Sequence, residues 1–503
     1  MGSSRSRQPA EPVTTAGSAP TSIWSGALLP VTAANLTVVA LAAFDGLAIV
    51  AAVPAITEDL GDVALVPWVI TAFLATSAVA GVLAGPVIDA KGVRATFRVT
   101  GLWFLLTSLA VALAPSMGLL IVARALQGIG GGLVISVSLS SVGLAYTEAL
   151  RPRAFAANSM VWGVMGFGGP ALVAAMLAVG NWRLVFFLQL PLTALALVVG
   201  WRSLPTAATP SRRIAVDWPG IIALTGLVAG SLVAVGVLDR RPGTALLIVG
   251  GAVAAAAVVW RRGARDHAVI RRDHLRRHPL RAVHLTAGLL LVAGLAADNY
   301  LPIYVQTVRG WSLASAPFSI LFLTVGWTAG ALLASRLLAR YRQDQLILVG
   351  ASLAVPALTA AAGAARFGWP SAVILTGYLV IGVAIGLVST SGLTLLQSVS
   401  QPGEMGRTNS AHQFIRTICI TYGVAVGGAI LLAIVDRRTG DVETVRALLA
   451  GDEGTVSAET GDAISAGFVA IHWFSLVAAI GCLAAAWSLR SATRRRVRES
   501  PAA

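Results

Sequence analysis

The chain has 503 residues, of which 56% are hydrophobic and only 12% charged, and its mean hydropathy is +0.80. A soluble domain carries about 25% charged residues, so the composition excludes an ordinary water-facing surface and points to lipid. The formal net charge of +15 would suit nucleic acid, but the basic residues sit in short loops between apolar runs, which argues against that partner. Residues 1–30, rich in Gly, Ser, Thr, Pro and Ala with Arg5 and Arg7, read as a disordered tail. Apolar runs follow at about 31–53, 65–86, 95–114, 117–145, 154–178, 182–201, 216–237, 244–260, 280–303, 313–335, 344–364, 369–397, 409–434 and 464–489. The first is too long for a cleavable signal. Hydrocarbon offers the backbone no hydrogen-bond partners, so each run is predicted to be a membrane-spanning helix. The expected fold is an all-α integral membrane protein of fourteen spans. Spans one to six occupy 31–201, spans seven and eight and a basic linker 202–279, and spans nine to fourteen 280–489, before a basic tail at 490–503. The acidic segment 435–463 is predicted to be the longest outside loop, a flexible connector or else a lid or partner-docking loop.

Placing the N-terminus in the cytoplasm puts 27 Lys and Arg residues in inside segments and 8 in outside loops. That asymmetry predicts an inner (cytoplasmic) membrane protein with both termini cytoplasmic. The densest inside cluster is Arg261, Arg262, Arg265, Arg271, Arg272, Arg276, Arg277 and Arg281, a topogenic loop that could also hold anionic lipid heads. Cys419 and Cys482 lie in apolar runs and form no disulfide framework or zinc spacing; no cofactor or metal is expected.

A shift of 254 residues brings Gly128, Gly132, Leu133, Val134, Leu139 and Arg153 onto Gly382, Gly386, Leu387, Val388, Leu393 and Arg407. A shift of 250 brings Pro67, Leu83 and Ala84 onto Pro317, Leu333 and Ala334, and Asp45 falls within one residue of Asp298. The repeat predicts two six-helix bundles with spans seven and eight inserted between them, and a substrate site where the bundles meet near the membrane midplane.

Four charges fall inside the spans: Asp45, Asp298, Arg124 and Arg416. Each is costly in hydrocarbon and should face a cavity or a partner. Burial favours the neutral carboxyl, so an Asp lining a closed cavity can hold a proton and release it when the cavity opens to water. Asp45 lies roughly 21 Å into span one at 1.5 Å per residue. Asp298 is nearer the outer end of span nine, where an interfacial or capping role competes. Arg124 is expected to neutralise an intramembrane acid, whereas nothing in the sequence identifies a partner for Arg416. Candidate pocket residues are Asn158, Trp162, Gln397, His412 and Gln413 with Arg416; ordinary packing is the alternative for each. His284 and His472 also lie within spans. Gly128 and its neighbours in span four, and Gly169 and Pro170 in span five, permit close helix approach or a sliding hinge. In the short loop from Gly85 to Arg94, Asp89 can cap or pair with a basic neighbour and hold the inside closed.

These residues resemble the major facilitator superfamily, and more narrowly its fourteen-span drug:proton antiporters, over nearly the whole chain. Gly85-Pro-Val-Ile-Asp89-Ala-Lys91-Gly92-Val-Arg94 is similar to the family motif after the second span, with Ala90 and Val93 where arginines are usual. Leu120-x-x-x-Arg124-x-x-Gln127-Gly128-x-Gly130-Gly131 matches the span-four motif closely, and there the resemblance implies that the arginine takes part in proton transfer. Phe44-Asp45 through Pro54 looks like the span-one motif that carries a membrane Asp, and Asn181-Trp182-Arg183-x-x-Phe186-Phe187 looks like the start of span six. Gly163 to Gly169-Pro170 resembles the antiporter motif of span five, with Val173 and Ala174 where a glycine pair usually follows. Span thirteen carries His412, Gln413 and Arg416 where some relatives carry acids. The resemblance implies a major facilitator fold, a small-molecule substrate, protons and membrane lipids as partners, and a monomer.

The leading expectation is therefore proton-coupled export of amphipathic compounds, with Asp45 and Asp298 as proton carriers. A carrier of one endogenous lipid, peptide or metabolite remains open at this point. A receptor or intramembrane enzyme is disfavoured, because no Walker, His-Glu-x-x-His or Gly-x-Ser-x-Gly element occurs.

Overall fold

A computed structural model describes residues 22–62, 65–206, 217–237, 242–265, 267–312, 315–401, 403–450 and 456–499. The described residues are all-helical, without strands. In chain order the helices are α1 (Leu29–Leu60), α2 (Val66–Lys91), α3 (Val93–Ala112), α4 (Met117–Ala145), α5 (Arg151–Ala178) and α6 (Arg183–Ser203). Then come α7 (Trp218–Val237), α8 (Pro242–Arg262) and the short α9 (Arg272–Arg276). The last group is α10 (Leu280–Asp298), α11 (Leu301–Thr307), α12 (Leu321–Leu337), α13 (Gln343–Phe367), α14 (Ser371–Ser398), α15 (Met405–Thr439), α16 (Val442–Ala450) and α17 (Ala458–Glu499). Among the described residues, thirteen helical segments are long and apolar enough to cross a membrane, and α7, at the position of span seven, is apolar over Trp218–Ser231.

Local chemistry explains the boundaries. Prolines stand in the first turns of α1, α2, α5 and α11, where a missing N–H costs nothing. Gly92, at φ +82°, separates α2 from α3, a backbone that an L side chain would resist. Thr hydroxyls within the spans, such as Thr37 and Thr57, bond back to carbonyls one turn earlier and leave no bare polar atom in lipid.

Helices α1–α6 pack among themselves, and so do α10–α17. Helices α7 and α8 pair with each other, and α7 leans on α2 and α15. Asp217 and Arg262 tie the start of α7 to the end of α8 at 2.5 Å. The repeat in the sequence has a counterpart in the packing. Cβ atoms on Gly128 and Gly132 of α4 would collide with the Phe73 and Ser77 carbonyls of α2. Cβ atoms on Gly382 and Gly386 of α14 would collide with the Leu323 and Trp327 carbonyls of α12. The glycines are 254 residues apart and their partners 250 apart, so both sequence shifts describe one repeated helix pair. Small residues matter here because lipid tails are as apolar as Leu, and close van der Waals packing must hold membrane helices together.

Four features differ from the sequence expectations. Span nine is interrupted: α10 ends at Asp298 and α11 restarts with Pro302 in its first turn, because proline cannot continue the ladder. The expected outside loop 435–463 is largely helical. Helix α15 runs on to Thr439, and α16 packs Val445 fully buried with Asp441 at its N-terminal end accepting from Thr444 N–H. The basic tail from 490 continues α17 as far as Glu499. Residues 22–30 of the expected tail form turns and the start of α1, with Ile23 buried and its carbonyl accepting from the Thr32 hydroxyl at 2.7 Å. Residues 1–21, Arg212, Arg213, Arg240 and Arg241 lie outside the described residues.

Candidate functional site

Inside the first helix group, Asp45 of α1 and Arg124 of α4 form an ion pair of 2.8 Å, each only 1% exposed. Arg124 Nη1 donates to both carboxylate oxygens and, at 2.6 Å, to Gln127 Oε1. Gln127 Nε2 donates to Ser108 of α3 and to Gln189 Oε1 of α6, both at 2.9 Å. Gln189 Nε2 donates back to Asp45 Oδ1 at 2.9 Å. The result is a closed ring of hydrogen bonds joining α1, α3, α4 and α6. Phe73 covers the guanidinium at 4.2 Å and Phe186 at 5.8 Å, so the ring is shielded from water. Charge-assisted bonds in such a low-dielectric setting are strong, and the cost of an unpaired member is correspondingly large. Asp45 is thus sealed among helices rather than lining an open cavity. Gln189, Ser108 and Asn35 were not singled out in the sequence, because a lone amide or hydroxyl in an apolar run carries no signal of its partners.

Asn158 of α5 is also tied up: Asn35 of α1 donates to it at 3.0 Å, and Ser138 of α4 donates to Asn35. On α5, Trp162 is 46% exposed, Gly169 buried and Pro170 exposed, and the helix continues through the proline.

The hydrogen bonds between the two helix groups gather at one end. Asp89 of α2 accepts from the Gly406 and Arg407 backbone N–H groups at 2.7 and 3.1 Å. These are the first turns of α15, so a carboxylate sits on the positive end of a helix dipole. Gly85 makes room, since a Cβ there would lie 2.7 Å from Arg407 Cα. Gln397 of α14 donates to the Leu139 carbonyl of α4 at 3.0 Å and to Asn409 at 3.3 Å. Thr328 of α12 donates to the Ser159 carbonyl of α5 at 3.1 Å, roughly 12 Å from the start of α5 at 1.5 Å per residue. Arg94 pins α3 to the end of α6, its Nε donating to the Leu204 carbonyl at 2.6 Å. The seam is therefore closed at the end where Asp89 lies, the end predicted to be cytoplasmic. Gln397, a predicted pocket residue, belongs to this closed seam.

The second helix group treats its charges differently. Asp298 is 2% exposed and its Oδ1 has no hydrogen-bond partner among the described residues. The 254-residue shift places Tyr378 where α4 has Arg124. Tyr378 hydrogen-bonds His472 at 3.2 Å, with His472 Nδ1 set on the Phe468 carbonyl at 2.8 Å. Arg416 of α15 is half-buried, its Nε has no hydrogen-bond partner among the described residues, and its guanidinium lies 5.9 Å from the Trp327 ring. His284 and His412 are buried with their Nδ1 atoms 2.9 Å apart and both Nε2 atoms unpartnered. One imidazole must donate and the other accept. Gln413 Nε2 reaches Thr417 at 3.4 Å.

At the opposite end from the seam, Asp59 accepts from Trp182 Nε1 at 3.0 Å and pairs with Arg183 at 2.5 Å. Arg183 also donates to the Ala114 carbonyl at 3.0 Å. The hydrogen bond from Arg183, then that from Trp182, holds the Asp59 carboxyl below the usual carboxylate range. This contact accounts for the Trp182-Arg183 pair singled out in the sequence.

Comparison with known proteins follows the same lines. The Major Facilitator Superfamily pattern matches residues 36–424. The chain is 30% identical over 498 residues to the puromycin resistance protein of Streptomyces alboniger, covering 93% of this chain and 91% of that one. It is 28% identical over 432 residues to a probable multidrug-efflux transporter of Mycobacterium tuberculosis, covering 82% of this chain and 88% of the other. The match also spans 58% of the length of a longer, uncharacterized transporter of that organism, at 27% identity. Among solved structures, a bacterial homologue of the iron transporter ferroportin in its outward-facing state superposes with a TM-score of 0.62 at 14% identity, covering 92% of this chain and 99% of that one. That likeness concerns the fold.

Proposed function

The chain belongs to the major facilitator superfamily, and from that premise we propose that it exports amphipathic small molecules or drugs across the cytoplasmic membrane by proton antiport. As a multi-pass member of that superfamily it is a transporter and not an enzyme. The relatives named for drug resistance and multidrug efflux support the direction and the class of cargo. The buried Asp45–Arg124 pair supports the coupling and is the observation on which the reading rests.

A proton can bind Asp45 only by displacing Arg124 from it. The displaced guanidinium then loses its counter-ion in a site walled by Phe73 and Phe186, so the ring across α1, α3, α4 and α6 must rearrange. Rearrangement shifts those helices against the second group and loosens the seam at Asp89, Gln397 and Thr328. Substrate binding and protonation each favour a different access state, and each shifts the balance only by its difference in affinity between them. Moving one charge across 100 mV contributes about 2.3 kcal/mol. On this reading 31–201 and 280–489 are the two rocking bundles, and 202–279 carries two extra helices and the basic cytoplasmic linker. Both termini are cytoplasmic, Asp298 is a second proton carrier, and the chain works as a monomer.

The test is a panel of labelled drugs in proteoliposomes with and without an imposed pH gradient. Gradient-dependent accumulation of several unrelated compounds is expected. Accumulation of one compound alone, with drugs ignored, would replace this reading by a dedicated carrier, and gradient-independent equilibration would remove the antiport.

A further inference from the structure

The exporter reading leaves the chemical class of cargo open, and the second helix group narrows it. Two arginines lie within the spans. Arg124 is neutralised by Asp45. Arg416 forms no ion pair with any carboxylate among the described residues, its Nε is unpartnered among them, and its guanidinium lies 5.9 Å from the Trp327 ring. A cation among membrane helices without a counter-ion is expensive, so a ligand or water is left to supply what the protein does not.

Its position matches that role. Arg416 stands 11 residues beyond Met405, where α15 begins, so it lies roughly 16 Å above the seam at 1.5 Å per residue. Trp327 immediately precedes Thr328, whose hydroxyl makes the deepest of the bonds that close the seam. Gly166 of α5 faces Thr324, one turn from Trp327, across the two groups. Helix α15 packs on α10 and α17 and, across the two groups, on α2, whereas α12 packs on α14 and, across the groups, on α5. A guanidinium on α15 that reaches a ring on α12 therefore lies on the face of the second group that is turned toward the first, deeper than the bonds that close the seam. The carboxylates within the spans do not compete for it: Asp45 is held by Arg124, and Asp298 is buried at the far end of α10.

We propose that Arg416 and Trp327 form a binding site for an amphipathic organic anion, a carboxylate, phosphate or sulfonate carried on an aromatic body. The planar guanidinium takes the acid through paired N–H donors, and the indole stacks on the apolar body. His412 Nε2, unpartnered one turn before Arg416, adds a polar contact for the same group. The inference rests on the exporter reading but names a binding preference that is measured without transport.

Full-length protein in nanodiscs is titrated with carboxyfluorescein and with ethidium by fluorescence polarisation. The anion is expected to bind about tenfold or more tightly than the cation, Arg416→Gln to weaken the anion about tenfold or more, and Arg416→Lys to keep the preference for the anion, as charge-assisted hydrogen bonds require. Tighter ethidium binding, undiminished anion binding in Arg416→Gln, or binding of neither dye overturns the site. If Arg416→Gln does not unfold cooperatively, the dye ratio in wild-type and Arg416→Lys decides, and a lysine variant that prefers the cation overturns the proposal. Flux of both dyes under a pH gradient is measured separately. Anion-selective binding without flux defeats the exporter reading and spares the site, and ethidium export without anion binding does the reverse.

Discussion

Each half of the protein carries an acid and an arginine within its apolar helices, Asp45 with Arg124 and Asp298 with Arg416, and the two halves treat them in opposite ways. In α1–α6, Asp45 and Arg124 close a ring with Gln127 and Gln189. In α10–α17, Asp298 Oδ1 and Arg416 Nε have no hydrogen-bond partner among the described residues, and a tyrosine stands at the repeat position of Arg124. The helix packing that the repeat preserves, glycine against carbonyl in α2–α4 and α12–α14, is the same in both halves. The difference teaches that the repeat fixes where helices touch, while side-chain chemistry at equivalent positions has diverged. One half carries a self-neutralised pair suited to exchanging an arginine for a proton. The other carries a lone cation suited to a ligand.

The largest expected effect comes from breaking the pair. Arg124→Gln leaves Asp45 buried without its counter-ion and should cost about 3–5 kcal/mol of stability, with Asp45→Asn/Arg124→Gln recovering more than half of it. Arg416→Gln, which orphans nothing, should cost less than about 1 kcal/mol or stabilise. Thermal unfolding in detergent compares them, and equal losses at the two arginines would erase the contrast between the halves. The shared packing predicts the next effect: Gly132→Val and Gly386→Val should each cost about 1–3 kcal/mol by overpacking, and by similar amounts. Tolerance at one and collapse at the other would mean that the repeat does not extend to the helix contacts. Asp89→Ala removes a helix cap across the seam and should shift the access equilibrium by about 0.5–2 kcal/mol toward an open inside. A single cysteine at Leu139, in a chain with Cys419 and Cys482 replaced, should then label faster from that side. The smallest effect is at Asp59. Its carboxyl sits below the usual range because of Arg183, so its contribution is present above the unfolded-state value and is lost as pH falls through the lower folded-state value. Unfolding midpoints of wild type and Asp59→Asn should differ slightly at neutral pH and converge in strong acid.

Much of the fold was legible in the sequence because lipid leaves the backbone one solution per apolar run, and all fourteen predicted runs coincide with helices. The break at Pro302 and the helix α16 were not, since a single proline in an apolar run and a short acidic helix both look like loop from composition. Arg124 was readable as a neutraliser of some acid, but its ring was not: Gln189 lies 62 residues from Gln127, and only the folded chain brings them to 2.9 Å. Asn158 and Gln397 illustrate the same limit. Each was expected in a pocket, yet Asn158 is bonded to Asn35 and Gln397 spans the seam. For Arg416 the sequence offered no partner, and the structure gives it none among the described carboxylates.

The most direct measurement is proton movement accompanying substrate flux in proteoliposomes containing wild-type protein or Asp45→Asn. The account predicts that wild type moves protons opposite to substrate, whereas Asp45→Asn exchanges substrate for substrate across the membrane but neither moves protons nor accumulates substrate against its gradient. Proton-driven accumulation that survives in Asp45→Asn would contradict it.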